Sequence, residues 1–340
     1  MGEFLVSRDD GFGARMIPLL SAIRLGNKIG FDVKCIWSET DDMPKWDQIF
    51  ESGEICSKKF SGLQFIENKG DISGREIKKP NCDISFEAEV GLYLHRFQVG
   101  FESSNDGKLI HLDNPVGIYL LEGEILDEVI LELSELFISF PFSERIKHGF
   151  ELVDNAIRDN GVSREHSISI HIRRGDALEF AKTNTIFLFE RIVPIHEYIS
   201  RINDLEKMMV VKHIIVGSDD PEMVARIDSE TEGKIVKSIY NFIEKDEFTK
   251  IEFDIIDLYL LSMSCCVSSG FSAYSILAGI IGRCPVHRLD LNQDLERRLL
   301  EIEREVYSQK DTAESGKKVV MSAYSYVHRR MMKESDFAKA

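Results

Sequence analysis

The sequence has little that would commit it to a stapled, metal-bound or exported protein. Its six cysteines (Cys35, Cys56, Cys82, Cys265, Cys266, Cys284) include no C-x-x-C pair. That spacing disfavours a zinc site or a disulfide framework, and reduced, buried thiols in a cytoplasmic setting are expected instead. His196-Glu197 lacks the second histidine of H-E-x-x-H, so no metal-ligand set is expected. The opening MGEFLVSRDDGFG has no basic segment leading into an apolar core, and no secretory signal is expected from it. Positive charge is scarce: 42 Lys and Arg stand against 58 Asp and Glu, a net charge of −16. Nonspecific nucleic-acid binding needs broad positive potential, so nucleic acid is not an expected partner. Internal repeats and low-complexity tracts are absent. The run from Leu258 to Gly282 carries no charge and is long enough for a membrane span. Its six serines and central Gly270 read better as helix, strand, turn and helix.

What is present is an ordinary folding composition, 43% hydrophobic and 29% charged over 340 residues, enough for two cores. Phe4–Ser7 reads as a strand and Asp9–Gly13 as a turn. A helix carrying Met16, Leu19, Leu20 and Ile23 on one side ends near Gly30, and a second strand covers Asp32–Trp37. This is a βαβ unit, and it predicts a parallel sheet. Residues 40–110 are polar and irregular, with weak strand signals only. Helices are predicted over Ile125–Leu136 and Ser143–Ile157, with a stop at Arg158–Gly161.

The β-then-α rhythm then resumes. Strands are predicted at Ser167–Ile172, His213–Val216 and Cys265–Ser268. Helices are predicted at Ile195–Leu205, after Pro221, over Asp254–Met263 and over Ala273–Ile281, with a charged amphipathic one from Leu289 to Tyr307. The expected organisation is an N-terminal α/β domain over 1–160 on the acceptor side. A Rossmann-like nucleotide-sugar domain over 161–290 follows, and then a helical segment over 291–340 that packs back toward the N-terminal half.

Ligands of open parallel sheets bind beyond the carboxyl ends of the strands. Four polar clusters follow predicted strands directly: Gly11-Phe12-Gly13 with Arg15; Arg173-Arg174-Gly175-Asp176; Ser218-Asp219-Asp220; and Ser268-Ser269-Gly270-Phe271-Ser272. Paired arginines present planar forks of donors that match phosphate oxygens and keep their charge. A serine-rich turn opening a helix cradles the same anion. Asp219 can accept from the ring N–H and amino group of a guanine, and glycines at 11 and 13 let a sugar approach the backbone. Each cluster also has a plain reading. Arg-Arg can be a solvated pair, Asp-Asp-Pro a helix N-cap, and Ser-Ser-Gly-Phe-Ser a turn with a cap. His171, inside its strand, suits an orienting role better than that of a general base. Arg174-Gly175-Asp176 could serve cell adhesion only on an exposed loop of a secreted protein.

The segments HIRRGD, IIVGSDDPEM and DLYLLSMSCCVSSGFSAYSILAG, in this order, resemble the three motifs of the fucosyltransferase superfamily. That group includes alpha-1,6-, nodulation-factor and bacterial alpha-1,2-fucosyltransferases. GFGARMIPLLSAIRLGNKIG is similar to the group's opening glycine loop and helix, and PIHEYI to the segment after the arginine motif. The match covers the beginning and roughly 165–285, not 40–160. The resemblance implies a GT-B architecture, two Rossmann-like domains facing across a cleft, and transfer of fucose from GDP-fucose to an oligosaccharide or polysaccharide acceptor. Transfer would proceed with inversion, without metal or cofactor. The acceptor could be membrane-linked, with the enzyme associating peripherally.

Carried over by residue, Arg173 and Arg174 hold the diphosphate, His171 and Asp219 contact guanine, and Ser268, Ser269 and Ser272 lie near the phosphates. In the alpha-1,6 enzymes a lysine follows the motif's aspartate and a glutamate lies further on. Here Ala177 follows Asp176 and Glu179 comes sooner, so the base, Asp176 or Glu179, stays open. Two other readings remain: a transferase using another nucleotide sugar, and a non-catalytic nucleotide- or glycan-binding protein.

Overall fold

A computed structural model describes residues 2–289 except 41–42, 52–58, 61, 67–71, 73–75, 88–91, 98–107 and 174–191. The predicted helix after Leu289 and the segment 291–340 lie outside the described residues.

The first βαβ unit forms as its periodicities predict, with strand β1 (Glu3–Arg8), helix α1 (Phe12–Ile29) and strand β2 (Asp32–Trp37). Gly30 closes α1 in the left-handed region at φ 75°, where a side chain would be strained. Further along come β3 (Leu63–Ile66), β4 (Ile77–Lys78), β5 (Cys82–Glu87), β6 (Leu92–Phe97), β7 (Leu109–His111) and β8 (Gly117–Leu120). Helices α2 (Leu126–Ile138) and α3 (Glu144–Asp159) follow. The remainder alternates as β9 (Ser167–Ile172), α4 (Ile195–Glu206), β10 (His213–Ser218), α5 (Pro221–Glu230), β11 (Ile235–Lys237), α6 (Lys250–Leu261), β12 (Val267–Ser269), α7 (Ala273–Gly282) and β13 (Val286–Arg288).

Two five-stranded sheets result, ordered β3-β2-β1-β7-β4 and β11-β10-β9-β12-β13. Every pairing in both is parallel. Each sheet reverses its winding beside its first strand, which is the Rossmann-like pattern, so the architecture is α/β with two such halves. A third sheet, β5-β6-β8, was not foreseen in the polar stretch; it pairs β5 with β6 antiparallel and β6 with β8 parallel. The uncharged run from Leu258 to Gly282 divides into the end of α6, strand β12 and helix α7. Among the described residues no helix is long and apolar enough to cross a membrane. The described cysteines are free thiols; Cys35, Cys266 and Cys284 are buried, Cys82 and Cys265 half-buried, and Cys56 lies outside the described residues.

Helix α1 is buried at every position from Phe12 to Gly26, since it packs on β1 and β8 and also against α2 and α7. Arg24 sits inside this packing with its two terminal nitrogens donating to Glu124 at 2.7 Å, Glu132 at 3.1 Å and the Tyr119 carbonyl at 2.6 Å, while its Nε has no partner. Lys28 adds a contact to Glu124 at 2.7 Å. Despite the penalty of burial, the Arg24 and Lys28 hydrogen bonds hold the Glu124 carboxyl down to about 2.

Two glycines allow the halves to touch. A Cβ on Gly149 of α3 would lie 2.1 Å from Ile256 of α6. One on Gly13 of α1 would lie 2.7 Å from the backbone of Ala273 and Tyr274, the first peptide of α7. One apolar cluster therefore runs through both halves, from Phe4 and Leu20 to Ile256 and Leu277. A second cluster, built on Ile168, Ile170 and Ile172, lies on the opposite face of the second sheet.

Candidate functional site at the carboxyl edges of the two sheets

Strand β9 shows how the sequence arranges the site. Its isoleucines face the outer cluster, while Ser167, Ser169 and His171 alternate toward the other face. There Ser169 donates to the Leu261 carbonyl at 2.8 Å, and the Nδ1 of His171 lies 2.6 Å from Ser275 Oγ on α7. Small polar side chains let α6 and α7 lie close to the strand and aim the histidine at the start of α7. Tyr198 of α4 donates to the His171 carbonyl at 2.9 Å and fixes the strand end. Arg173, the first residue beyond β9, is half-buried at that edge. Arg174, Gly175, Asp176 and Glu179 lie outside the described residues.

The winding of the second sheet reverses between β9 and β12, so His171 and the Ser268–Ser272 turn flank its switch point. Helix α7 begins there with Ser272 as N-cap, whose side chain makes no capping hydrogen bond. Helix α1 begins at Gly11, also without a side-chain cap, and neither helix has an acidic residue in its first turn. Because Gly13 abuts the first peptide of α7, the two open N-termini meet. Each end carries roughly half a positive charge from its unpaired N–H groups. Two such ends in contact, with Arg173 at the same sheet edge, make a place where an anion relieves repulsion. The carboxyl edges of both sheets converge on this point.

Behind it is a group that the motif reading passed over. Asp257 of α6 is buried, its Oδ2 lies 3.2 Å from Tyr274 Oη, and its Oδ1 has no hydrogen-bond partner. Burial, reinforced by the charge of Asp254, pushes its carboxyl up to about 7. Tyr274 Oη is closer to the Asp254 carbonyl, at 2.6 Å, and has one proton to give. A neutral Asp257 can then donate to the phenol oxygen, which agrees with the raised pKa. The Tyr274 ring lies 4.9 Å from that of His171, so imidazole, phenol and carboxyl form one wall. A carboxylate at the head of an uncharged run was the available signal in the sequence.

The predicted residues separate on inspection. Phe12 is 5% exposed and packs against Trp37 and Phe142, so its side chain is core; only its N–H faces the helix start. Gly13 is required by the α7 backbone rather than by a sugar, whereas a Cβ on Gly11 would meet nothing. Arg15 turns away into its own half. It donates to the carbonyls of Asp10 at 2.6 Å and Ser38 at 2.7 Å and lies over Trp37, with Nη2 left without a partner. Asp220 accepts from the Glu222 N–H at 3.0 Å and Ser218 from the Asp220 N–H at 3.1 Å, so this pair caps α5. Asp219 is exposed beside them.

Ser268 pairs with Ile170 and Ser269 with His171, which places their hydroxyls on opposite faces of the sheet. Ser269 donates to the Gly270 carbonyl at 2.8 Å, while the buried Ser268 hydroxyl has no partner and faces away from α7. The structure thus brings together His171, Arg173, Ser269 and Ser272 with the starts of α1 and α7. It draws Phe12, Arg15, Ser218 and Asp220 into structural roles. Among the described residues no group of three or more His, Cys, Asp or Glu is placed to hold a metal ion.

No protein-family model and no curated protein matches the chain. Among solved structures it is similar to POFUT1 in its apo form, at 10% identity and a TM-score of 0.45, covering 84% of this chain and 97% of that one. It is also similar to the fucosyltransferase NodZ from Bradyrhizobium, at 13% identity and a TM-score of 0.45, covering 82% and 93%. NodZ alpha-1,6-fucosyltransferase soaked with GDP-fucose gives 14% identity and a TM-score of 0.46, covering 83% and 93%.

Proposed function

We propose that the chain is an inverting fucosyltransferase that moves fucose from GDP-fucose to a glycan acceptor, without a metal ion, in the cytoplasm. The observation that carries this reading is the meeting of two uncapped helix N-termini at a switch point, beside Arg173. Converging N–H groups and a guanidinium fit the two charges of a diphosphate, and the three ordered sequence motifs supply the sugar and the base. His171, Asp219 and the buried Asp257 are the groups suited to a guanine, whose N1–H and amino group need carboxylate acceptors.

In the transfer, the acceptor hydroxyl oxygen forms a bond to the sugar's anomeric carbon as the bond to the β-phosphate oxygen breaks. GDP departs with the electron pair, and its growing charge is met by Arg173 and Arg174 and by the two helix ends, whose N–H groups are oriented before reaction. The carbon gains oxocarbenium character, and inversion follows from attack opposite the leaving group. The hydroxyl proton passes to a carboxylate, Asp176 or Glu179. The arginines, which keep their charge, take the place of a metal in neutralising the leaving group. Calorimetry with GDP, UDP and ADP tests the reading, with GDP expected to bind tightest. Tighter UDP binding would remove the guanine assignment, and no binding of any of the three would remove the nucleotide site.

A further inference from the structure

The third sheet carries an aromatic surface that the donor site does not use. Phe86 of β5 and Tyr93 of β6 are directly opposed across the antiparallel ladder, with ring centroids 5.0 Å apart. Both stay open to solvent, at 38% and 37% exposure, and Ile84 on the same face is 62% exposed. An aromatic cross-strand pair ordinarily earns its place by being covered. Here the pair is continuous with the site just described. The guanidinium of Arg288, at the end of β13, lies 5.9 Å from the Phe86 ring and 4.4 Å from the ring of Phe271. Phe271 immediately precedes Ser272, the N-cap of α7, and Arg288 is in register with Ser269. A path of flat surfaces therefore runs from the exposed rings to the point where the two helix N-termini meet.

We propose that Phe86 and Tyr93 form the stacking platform for the sugar acceptor, one pyranose face lying on the rings and its hydroxyls reaching the donors of Arg288. The occupant is chosen by size and chemistry. A stable protein partner buries about 800 Å² on each side, whereas this surface offers three apolar side chains. A sugar ring has an apolar C–H face of matching extent and a polar rim, and aromatic side chains hold such two-natured ligands well. With a net charge of −16, and Arg288 the one cation over the Phe86 ring among the described residues, an anionic membrane is a poor alternative. The inference rests on the transferase reading for its orientation, since it places the acceptor at the same sheet edge as the donor, across the anomeric carbon from the departing GDP.

The test uses the full chain and four neutral probes: chitotetraose, cellotetraose, xylotetraose and lactose. Binding is followed by saturation-transfer NMR and calorimetry, in wild type and in a Phe86→Leu/Tyr93→Leu variant that keeps apolar cover but removes the ring faces. At least one probe is expected to bind wild type and to weaken by about tenfold or more in the variant. GDP affinity should stay within about twofold, which also reports that the variant is folded. The platform is overturned if no probe binds wild type, or if the variant binds the same probe equally well. Failure of GDP to bind wild type counts against the nucleotide reading alone, because the sugar titration is read separately.

Discussion

The two parallel sheets share a winding pattern but treat their carboxyl edges differently. After β1, the polar residues are spent on one another. Arg8 is held by Asp10 at 2.9 Å and by the Asp113 carbonyl, and Arg15 by two carbonyls of its own half. After β9 and β12, the chain leaves an open helix start, a histidine ring against a phenol, and a buried carboxyl with an unpaired oxygen. What sets the second edge apart is not the number of its polar residues but the open helix start and the carboxyl oxygen left without a partner. The first half contributes the start of α1 and little else of its polar inventory.

The largest expected effect distinguishes the arginines of the two edges. Arg173→Ala should lower kcat for transfer from GDP-fucose by about a hundredfold to a thousandfold, as removal of a preorganised charge-stabilising donor does. Arg15→Met should instead act on stability and leave GDP affinity near that of wild type. Near-wild-type turnover in the first variant, read by GDP release, would place the anion site elsewhere.

Next is Asp257. Its carboxyl titrates near 7 in the folded protein and near 3.8 otherwise. Between these values the native state keeps a proton that the unfolded state has lost. Stability therefore falls as pH rises through the window, by up to about 1.4 kcal/mol per unit, and the loss is complete above it. Urea denaturation at pH 5 and pH 8 should show this slope in wild type and not in Asp257→Asn. GDP affinity should rise with pH across 6 to 8 in wild type. In the variant it should be flat, and lower at pH 8 by about 1.5–3 kcal/mol, the worth of a charged hydrogen bond. A wild-type affinity indifferent to pH would take Asp257 out of base recognition.

The contact between halves is tested by Gly13→Ala. The added carbon has only backbone to displace, so a loss of about 1–3 kcal/mol in unfolding free energy is expected, together with weaker GDP binding. Asp220→Ala should cost about 1 kcal/mol through the lost cap of α5 and leave GDP binding unchanged. A large loss of GDP affinity there would restore the ligand role that the structure takes from this residue.

Much of the frame was legible because its periods are clean. The βαβ unit over residues 3–37 and the strand–helix alternation from Ser167 onward follow directly from apolar spacing. The start of α6 was read four residues late, although Thr249 and Glu252 form a capping box visible in the sequence. Strands β3 to β8 escaped because most run only two to four residues; β5 does alternate, with Cys82, Ile84 and Phe86 between polar residues, but five of its six residues are exposed and the run is short. At the site, strand position located His171 and Ser269, but not which face each serine takes, since that depends on register with β9. Gly13 was assigned to a ligand because its real neighbour, the Ala273 backbone, is remote in sequence and adjacent only in space. Asp257 opens the third motif segment without a role read for it there, and its meaning comes from burial.

The contact between Gly13 and the first peptide of α7 also constrains how the molecule could open and close. Backbone against backbone leaves no slack for α1 to slide over α7, and the Gly149–Ile256 contact of α3 with α6 ties the halves at a second close point. Any rocking of the halves would have to turn about the line joining these two contacts, and so would displace least the place where the two open helix ends meet.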